Sequence, residues 1–421
     1  MKKLFLFIFF FLYFATSLYA APVVKDEVLL TQGKDSYQGV RHIVIKGTNE
    51  EIGKALGDVA QKDYGVTTLL RYPDEVYARV ADKYLRQNYP ILRDRAKGVA
   101  TSYKEDYETS LSLFNQLVYD AGPWNGCSSA YYPPALTDSG TGYLGHNMDY
   151  PLNSITQLLR LPEENIPNMF TRNFVIELYP DKGYASIGVG TGDVMSIVSG
   201  MNEKGLVAVL HTDNYTLINT SPKPDYSGLI FPTQVLRCIL DNCSTLEEAK
   251  ELLLNNKISL TFEPAHLLIA DISGRSMCVE INPSNMRIEF TDNPGKVQIF
   301  TNHPIYRFRN PAEFPDYTPF QEDNTFARFN NLRKLTDGKN KFTAEDVFSN
   351  QQKVQARWNN LGRGQANPMP NRTIYTDLYE QKAGVMKVKF YLRDGKIDPE
   401  TGDPEDLVYS DLFTFKLQKP R

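Results

Sequence analysis

The sequence predicts an α+β fold in which helices cover the outer faces of β-sheets. Apolar residues recur with helical spacing up to about residue 126. Beyond that point, short apolar runs separated by turn residues predict strands. A helical pair interrupts the strands before they resume, and this order is typical of layered α+β domains.

Composition and charge exclude several classes of protein. The chain has 421 residues, of which 42% are hydrophobic and 23% charged, and its formal net charge is −4. These values exclude collagen-like, coiled-coil and disordered chains. Because no stretch is dense in lysine or arginine, no nucleic-acid partner is expected. Four cysteines and five scattered histidines lack the spacing of a disulfide scaffold or a zinc site. We therefore expect no metal or organic cofactor.

Residues 1–20 have the layout of a secretory signal peptide. Lys2 and Lys3 form a basic start, the apolar run Leu4–Phe14 follows, and small and mixed residues lead to Ala20. The apolar run is shorter than the roughly 20 residues of a transmembrane helix. The alternative is an uncleaved anchor. Signal removal predicts a secreted, periplasmic or lumenal protein with no stable membrane anchor.

Residues 21–126 are predicted to form a mostly helical N-terminal segment. A short apolar strand at Val44–Lys46 precedes Thr48 and Glu51, which have the spacing of a capping box. Two further helical runs follow, on either side of Pro90, and the second reaches about residue 119.

Residues 127–421 are predicted to form a domain of strands with one helical pair. Strands are expected at Ser129–Tyr132, Tyr143–Asn147, Phe174–Tyr179, Ser186–Val189, Leu206–Leu210, His266–Ile272, Ser276–Ile281, Met286–Phe290, Val297–Thr301, Ile374–Leu378, Val385–Leu392 and Leu407–Leu417. The helices are expected at Pro232–Leu240 and Thr245–Leu254. Ser244 and Glu247 have capping-box spacing between these helices. Asn302–Asn371 is polar and rich in proline, and is predicted to be irregular.

Cys127 is the candidate nucleophile, at the junction of the helical segment and the strands. If the Gly126–Cys127 bond is cleaved, Cys127 gains an α-amine with a pKa of about 8, which can accept the thiol proton. The thiol itself can break that bond by attacking the Gly126 carbonyl, which glycine leaves unobstructed. The alternative interpretation is a buried structural cysteine.

Further polar motifs follow Cys127 in order. The sequence Gly-His-Asn-Met-Asp-Tyr at 145–150 lies 18 to 23 residues later, so a strand, a turn and a return strand would bring Asp149 beside Cys127. A carboxylate there can hold an α-amine. Next come Gly-Met-Asn-Glu-Lys-Gly-Leu at 200–206, Thr-Asn-His-Pro at 301–304 and Phe-Ala-Arg-Phe at 326–329.

Together these motifs resemble the choloylglycine hydrolase and acyl-CoA:6-aminopenicillanic acid acyltransferase families of N-terminal-nucleophile hydrolases. The resemblance runs from Gly126 to the last strands. The segment Gly47–Gly57 and the Gly-Cys-Ser-Ser context of Cys127 are similar to the acyltransferase branch. The resemblance implies a four-layer αββα sandwich over 127–421, preceded by a helical pro-segment. It also implies that 21–126 is released as a separate fragment that stays associated.

The resemblance also implies roles for four residues. Cys127 matches the nucleophile, and Asp149 matches the aspartate that contacts its amine. Asn302 matches the asparagine that holds the substrate and the oxyanion, a task suited to an uncharged donor. Arg328 matches an arginine that lowers the thiol pKa and binds the aspartate. The alternatives are a turn aspartate, a strand-end asparagine and a surface salt bridge.

Three histidines differ in what they imply. His146 stands where bile salt hydrolases and ceramidases carry arginine, which favours the acyltransferase branch. His211 stands where bile salt hydrolases carry an oxyanion-hole asparagine, and a neutral histidine can donate one N–H in its place. A structural histidine at a strand end is the alternative for His211. His303 is expected on the opposite side of its strand from Asn302, in a structural role.

The remaining cysteines and a group of aromatic residues are interpreted as mainly structural. Cys278 is expected to be a buried thiol, while Cys238 and Cys243 are either packed thiols or a disulfide. Aromatic residues in the irregular stretch either line an acyl pocket or form a satellite core. These residues are Phe308, Phe314, Tyr317, Phe320 and Phe326.

The sequence therefore predicts a secreted, self-processing cysteine hydrolase that cleaves a linear non-peptide amide through an acyl thioester. Its expected partners are a small N-acyl amide substrate and its own second fragment. Three alternatives stay open: an acyltransferase using the same thioester, a phospholipase-B-like ester hydrolase, and a catalytically silent binding homologue.

Overall fold

The computed structural model describes most of the chain. The described residues are 23–120, 126–153, 169–213, 232–255, 265–282, 285, 287–315, 325–359 and 370–418. The predicted signal peptide lies outside them. No helix in these ranges is both long enough and apolar enough to cross a membrane.

In the described part of the chain, three groups of α-helices separate four groups of strands. The strands are β1 (Val23–Leu30), β2 (Gly39–Gly47), β3 (Gly126–Tyr132), β4 (Tyr143–Pro151), β5 (Arg172–Pro180), β6 (Ser186–Gly190), β7 (Ser199–Asn202), β8 (Val207–Thr212), β9 (Ala265–Ala270), β10 (Ser276–Asn282), β11 (Arg287–Asp292), β12 (Gln298–Phe300), β13 (Arg357–Trp358), β14 (Asn371–Glu380), β15 (Val385–Asp394), β16 (Leu407–Tyr409) and β17 (Phe413–Lys416). The α-helices are α1 (Asn49–Tyr64), α2 (Glu75–Asn88), α3 (Pro90–Tyr103), α4 (Pro232–Asn242), α5 (Leu246–Asn255), α6 (Thr325–Thr336) and α7 (Ala344–Gln352).

The strands form two sheets. Within the described residues, the first sheet has nine strands in the order β1-β2-β5-β6-β7-β8-β9-β10-β11. Its neighbouring strands are antiparallel except β2 and β5, which are parallel. The second sheet has the order β12-β3-β4-β14-β15-β16, with β13 paired to β14 and β17 paired to β15. β3 therefore lies between β12 and β4.

Apolar packing arranges these elements in four layers. Between the sheets, Met148 and Tyr375 of the second sheet belong to one buried cluster with Val209 of the first. A second cluster joins helices α1, α3, α4 and α5 to the outer face of the first sheet. A third joins Leu332 of α6 and Val347 of α7 to the outer face of the second sheet. The protein is an αββα sandwich, as the resemblance predicts.

Most of the predicted elements after residue 127 are present. Each predicted strand occurs within a few residues of its expected bounds, and the last one is divided into β16 and β17. The capping box of Thr48 and Glu51 is confirmed. All four cysteines are buried and none forms a disulfide, so Cys238 and Cys243 are packed thiols.

The prediction of a mostly helical N-terminal segment is incomplete, because β1 and β2 extend the first sheet. Val40, Ile43 and Ile45 of β2 are buried. Arg41 and His42 interrupt the apolar pattern of this strand. The sheet accommodates them because Arg41 forms an ion pair with β1, and His42 lies against carboxylates of both β1 and β5. The segment is thus part of both the sheet and its helical layer. The division at residue 126 remains a prediction.

The prediction that 302–371 is irregular is wrong in part, because it contains α6 and α7. Helix α6 has little amphipathic signal, since a buried arginine occupies the face that packs on the sheet. Helix α7 did carry a readable signal, the capping box of Thr343 and Asp346. The predicted box at Ser244 and Glu247 is also displaced, because Glu248 is the residue that binds the backbone N–H groups at the start of α5.

A buried ion pair ties the N-terminal segment to the rest of the molecule. Arg95 of α3 donates two hydrogen bonds to Asp241 of α4, at 2.7 and 3.0 Å. Tyr89 donates to the same carboxylate, and Asn49 accepts from Arg95. Both charged side chains are almost fully buried. Removal of either partner would therefore leave the other charge buried without its hydrogen-bonded counter-ion.

We predict that Arg95→Leu lowers the free energy of unfolding by about 3–5 kcal/mol, because it leaves Asp241 buried without its cation. Urea unfolding followed by circular dichroism measures the change. Arg79→Leu is the matched control, because Arg79 forms an exposed pair with Glu75 and should change stability little. Equal small effects of both substitutions would contradict the prediction.

Candidate active site

The pairing of β12 with β3 brings Asn302 beside Cys127. Phe300 lies opposite Ser129, so continuing this register carries Asn302 to the level of Cys127. The backbone nitrogen of Cys127 donates to Oδ1 of Asn302 at 2.8 Å. Nδ2 of Asn302 donates to the carbonyl of Thr212 at 2.7 Å. No described residue accepts from the second N–H of this amide, so that N–H can serve a ligand.

Arg328, on helix α6, connects the three other predicted residues. Its Nη1 donates to the carbonyl oxygen of Cys127 at 2.6 Å and to Oδ2 of Asp149 at 3.1 Å. Its Nη2 donates to Oδ1 of Asn302 at 2.7 Å. The side chain is 4% exposed. The guanidinium therefore fixes the backbone of Cys127, the carboxylate and the amide in one cluster.

Asp149 reaches the cluster from β4, where it lies opposite Gly126. Its second oxygen accepts a hydrogen bond from Oγ1 of Thr373. Burial raises the pKa of this carboxyl, while the charge of Arg328 and the bond from Thr373 oppose the shift. A Cβ at Gly126 would lie 3.1 Å from the Cβ of Asp149, so glycine suits this close approach.

The sulfur of Cys127 lies in the apolar layer between the sheets. It is 3.6 Å from the sulfur of Met148, and both residues belong to the inter-sheet cluster. The hydrogen bonds of Arg328 go to the Cys127 carbonyl and to the two polar side chains. The expected bond to Asp149 is present, and the guanidinium also anchors the backbone at position 127, which was not predicted.

His211 lies in the same region but is not placed as a donor to the sulfur. Nδ1 is 3.2 Å from the carbonyl of Thr301, and Nε2 is 2.6 Å from Oγ of Ser129. A carbonyl only accepts, so Nδ1 carries the proton and Nε2 accepts from the hydroxyl. Burial holds the pKa of His211 well below its usual range, so the ring is neutral. In this arrangement no N–H of His211 remains for an oxyanion.

His303 is packed in an aromatic cluster, in agreement with its structural interpretation. Its ring stacks on Phe326 at 4.3 Å and contacts Phe308 and Phe314. Burial lowers its pKa to about 3. These three aromatics pack on one another, as a satellite core would. The other two of the predicted group, Tyr317 and Phe320, lie outside the described residues.

A buried group of charges next to the site was not predicted. Nε2 of His266 lies 2.8 Å from a carboxylate oxygen of Asp213, and Nδ1 lies 3.6 Å from one of Glu280. Burial opposes charge on His266, but the two carboxylates together raise its pKa. Glu280 also accepts from the backbone N–H groups of Ile305 and Tyr306, which fixes the turn after Asn302.

These supporting residues carry almost no signal that could be recognised from the sequence alone. Thr212 and Thr373 contact the site through a backbone carbonyl and a hydroxyl, and neither group leaves a recognisable motif. Asp213 and Glu280 are single acidic residues on or just after strands, far from Asn302 along the chain. Among the described residues, no group of three or more His, Cys, Asp or Glu side chains is arranged to hold a metal ion.

The comparisons with known proteins give a family and several structural neighbours. A model of the acyl-coenzyme A:6-aminopenicillanic acid acyl-transferase family matches residues 135–394. This range begins after Cys127 and contains Asp149, His211, Asn302 and Arg328. No curated protein matches the chain.

Solved structures that resemble the chain include three enzymes. A mutant of the conjugated bile acid hydrolase from Clostridium perfringens has 20% identity and a TM-score of 0.47, over 69% of this chain and 97% of that one. Penicillin V acylase from Agrobacterium tumefaciens has 17% identity and a TM-score of 0.41, over 63% and 83%. The Caenorhabditis elegans ortholog of N-acylethanolamine-hydrolyzing acid amidase has 12% identity and a TM-score of 0.37, over 61% and 93%.

We predict that Arg328→Leu destabilises the fold by about 3–5 kcal/mol near neutral pH, because Asp149 is left buried without its cation. Without Arg328 the pKa of Asp149 rises further above its unfolded value of 3.8. When the pKa of a carboxyl is higher in the folded than in the unfolded protein, the folded protein loses stability as the pH rises from the unfolded pKa to the folded pKa. The loss in free energy of unfolding relative to wild type, measured by urea unfolding, should therefore be smaller at about pH 5 than at about pH 8.

Two further variants sharpen this test. Adding Asp149→Asn to Arg328→Leu should recover part of the lost stability, because the orphaned charge is removed. Arg333→Leu, on the same helix but exposed, should have little effect at either pH. A deficit of the same size at both pH values would mean that Asp149 is not the group left unpaired.

Proposed function

Because the chain belongs to the acyl-coenzyme A:6-aminopenicillanic acid acyl-transferase family, we propose that it is a self-processing cysteine hydrolase that cleaves a linear non-peptide amide. One observation carries this proposal. The backbone nitrogen of Cys127, which cleavage would turn into an α-amine, is bound in the same cluster as Asn302, Arg328 and Asp149. Export through the segment 1–20 is part of the proposal.

The first step of the proposed chemistry is self-cleavage. The thiol of Cys127 attacks the carbonyl carbon of Gly126, a C–S bond forms, and the C–N bond breaks as the thiol proton passes to the nitrogen. Water then hydrolyses the resulting thioester and releases the carboxyl group of Gly126. The hydrogen bond from Arg328 to the Cys127 carbonyl supports this step, because it holds the backbone on the other side of Cys127 in place while the Gly126–Cys127 bond breaks.

Turnover then uses the new amine as the base. The amine accepts the proton of the Cys127 thiol, and the thiolate attacks the carbonyl carbon of the substrate amide. The second N–H of Asn302 stabilises the oxyanion, since Thr212 holds the amide group in a fixed orientation. The ammonium returns its proton to the departing amine, and an acyl thioester remains on Cys127.

Asp149 and His211 have supporting parts in this proposal. Asp149 stabilises the positive charge that develops on the α-amine. Burial raises the pKa of this carboxyl, and the charge of Arg328 opposes that shift and so favours the carboxylate. His211 links Ser129 of β3 to Thr301, the residue before Asn302, so it positions the asparagine and does not act as an oxyanion donor.

Hydrolysis and acyl transfer share the thioester and differ only in what attacks it. Because the matching family is described as an acyl-transferase, transfer is the second candidate. Incubation with N-acyl amino acids, bile-salt conjugates, penicillins, ceramide-like amides and acylated lactones identifies the acyl donor. Repeating the reaction with an added amine separates free acid, the product of hydrolysis, from a new amide. Ester cleavage without amide cleavage would instead favour the phospholipase-B-like alternative.

We predict that the purified protein consists of two associated fragments, one starting at Ala21 and one starting Cys-Ser-Ser-Ala at residue 127. Intact mass and N-terminal sequencing test this. Cys127→Ala should remain a single uncleaved chain without activity, whereas Cys278→Ala, a buried thiol elsewhere in the inter-sheet core, should be cleaved normally. A fully active protein with an intact Gly126–Cys127 bond would refute self-processing and favour a different activation of Cys127.

We predict that Asn302→Ala lowers kcat/KM by roughly 100- to 1000-fold, since it removes one oxyanion donor. Asn302→Asp keeps the oxygen that accepts from Cys127 and Arg328 but removes the N–H donors. It should therefore be impaired to a similar degree. If Asn302→Asp kept wild-type activity, the amide would act only through its accepting oxygen, and the proposed oxyanion role would be wrong.

A further inference from the structure

A histidine–carboxylate pair, His146 and Asp377, is buried between the sheets and has no part in the chemistry proposed above. Nδ1 of His146 lies 3.0 Å from Oδ1 of Asp377, and both side chains are fully buried. The other oxygen of Asp377 accepts from the hydroxyls of Ser199 and Tyr379. In the tautomer whose Nδ1–H donates to this carboxylate, the lone pair of the ring lies on Nε2.

Nε2 of His146 is the unused atom of this pair. It is buried and has no hydrogen-bond partner among the residues that the structure describes. A polar ring nitrogen buried in this way is costly unless a ligand or water binds it. The ring lies beside His211 and Tyr375, with centroids 5.6 and 5.8 Å away. A polar group is thus directed into the layer that contains the candidate nucleophile.

The register of β3 and β4 places His146 next to Cys127. Cys127 lies opposite Met148, and Ser129 lies opposite His146. Residues two apart on a strand face the same side, so His146 shares the inter-sheet face with Met148 and Cys127. Diagonal neighbours of this kind have Cα atoms roughly 7–8 Å apart. The two side chains therefore start close enough for one water molecule to lie between Nε2 and an acyl carbon on the sulfur.

We propose that His146 is a second catalytic base, which activates the water that hydrolyses the acyl thioester. This inference rests on the proposed function, because it requires a thioester on Cys127. Asp377 orients the ring and stabilises its charged form, as a carboxylate does for a histidine base elsewhere. The α-amine of Cys127 serves the first half of the reaction, and His146 serves the second.

The step balances with water as the only added reactant. The water oxygen bonds to the acyl carbon while a proton passes to Nε2 of His146. The C–S bond then breaks, the free acid leaves, and Nε2 returns the proton to the thiolate of Cys127. The free thiol and the neutral ring are restored for the next cycle.

The test separates acylation from deacylation with p-nitrophenyl hexanoate, an ester that acylates thiols readily. In the His146→Gln variant, we expect a burst of about one p-nitrophenol for each site, followed by steady-state turnover about 100-fold slower than wild type. Intact mass of the 127–421 fragment should show the hexanoyl adduct in this variant and not in wild type. Hydroxylamine, which attacks without a base, should restore its turnover.

Two other variants complete the experiment. Asp377→Asn should also accumulate the adduct, because the ring loses its orienting carboxylate. His42→Gln is the matched control, because His42 also pairs with buried carboxylate, that of Glu177, but lies on β2 away from Cys127. It should deacylate like wild type.

Each outcome has a definite meaning. Self-cleavage at Gly126 and a full burst in His146→Gln show that the fold and acylation are intact, so slow turnover then reports deacylation alone. Wild-type turnover in His146→Gln, or turnover that hydroxylamine leaves slow, would overturn the role of His146. If His146→Gln fails to fold, the adduct in Asp377→Asn decides, and its absence overturns the inference. A wild-type protein that does not acylate Cys127 would refute the proposed function itself.

Discussion

The charge of Arg328 is the constraint on which the candidate site depends. A buried guanidinium must be paired, because the loss of its hydration is compensated only by nearby acceptors. Here the acceptors are the Cys127 carbonyl, Asp149 and Asn302, which come from three strands of one sheet or its margin. Helix α6, on the outer face of the sheet, thereby holds the candidate site in place. A change in how α6 packs on the sheet would therefore also move the Arg328 hydrogen bonds that hold the site together.

The part of the site that is local in sequence could be predicted from spacing alone. Asp149 follows Cys127 after one strand, a turn and a return strand, so an antiparallel hairpin brings the two together whatever the rest of the fold does. Asn302 and Arg328 are 175 and 201 residues away from Cys127. No periodicity predicts contacts of that length, and only the family resemblance indicated them. The layered architecture could be predicted because alternating strands and helical pairs have few ways to cover their apolar faces.

Other features could not be predicted, because their determinants lie in partners distant along the chain. The charged residues of β1 and β2 interrupt the apolar pattern of a strand, and only their cross-strand partners explain why they lie there. The buried face of helix α6 is hard to recognise because it contains an arginine, whose charge is paired only in the folded site. The hydrogen-bonding state of His211 depends on a carbonyl and a hydroxyl from two other strands. In each case a polar residue is buried because of tertiary contacts that local sequence rules do not contain.

The pairing of β2 with β5 determines how a cleaved molecule could refold. β2 is an interior strand, flanked by β1 and β5, and helices α1 and α3, which also precede residue 126, cover the same sheet. A chain severed at residue 126 therefore becomes an obligate heterodimer whose halves were folded as one polypeptide. Unfolding such a molecule releases two chains, and reassembly becomes a second-order process that depends on concentration. The proposed self-cleavage would therefore leave a native structure that its two separated chains could not readily regain once unfolded.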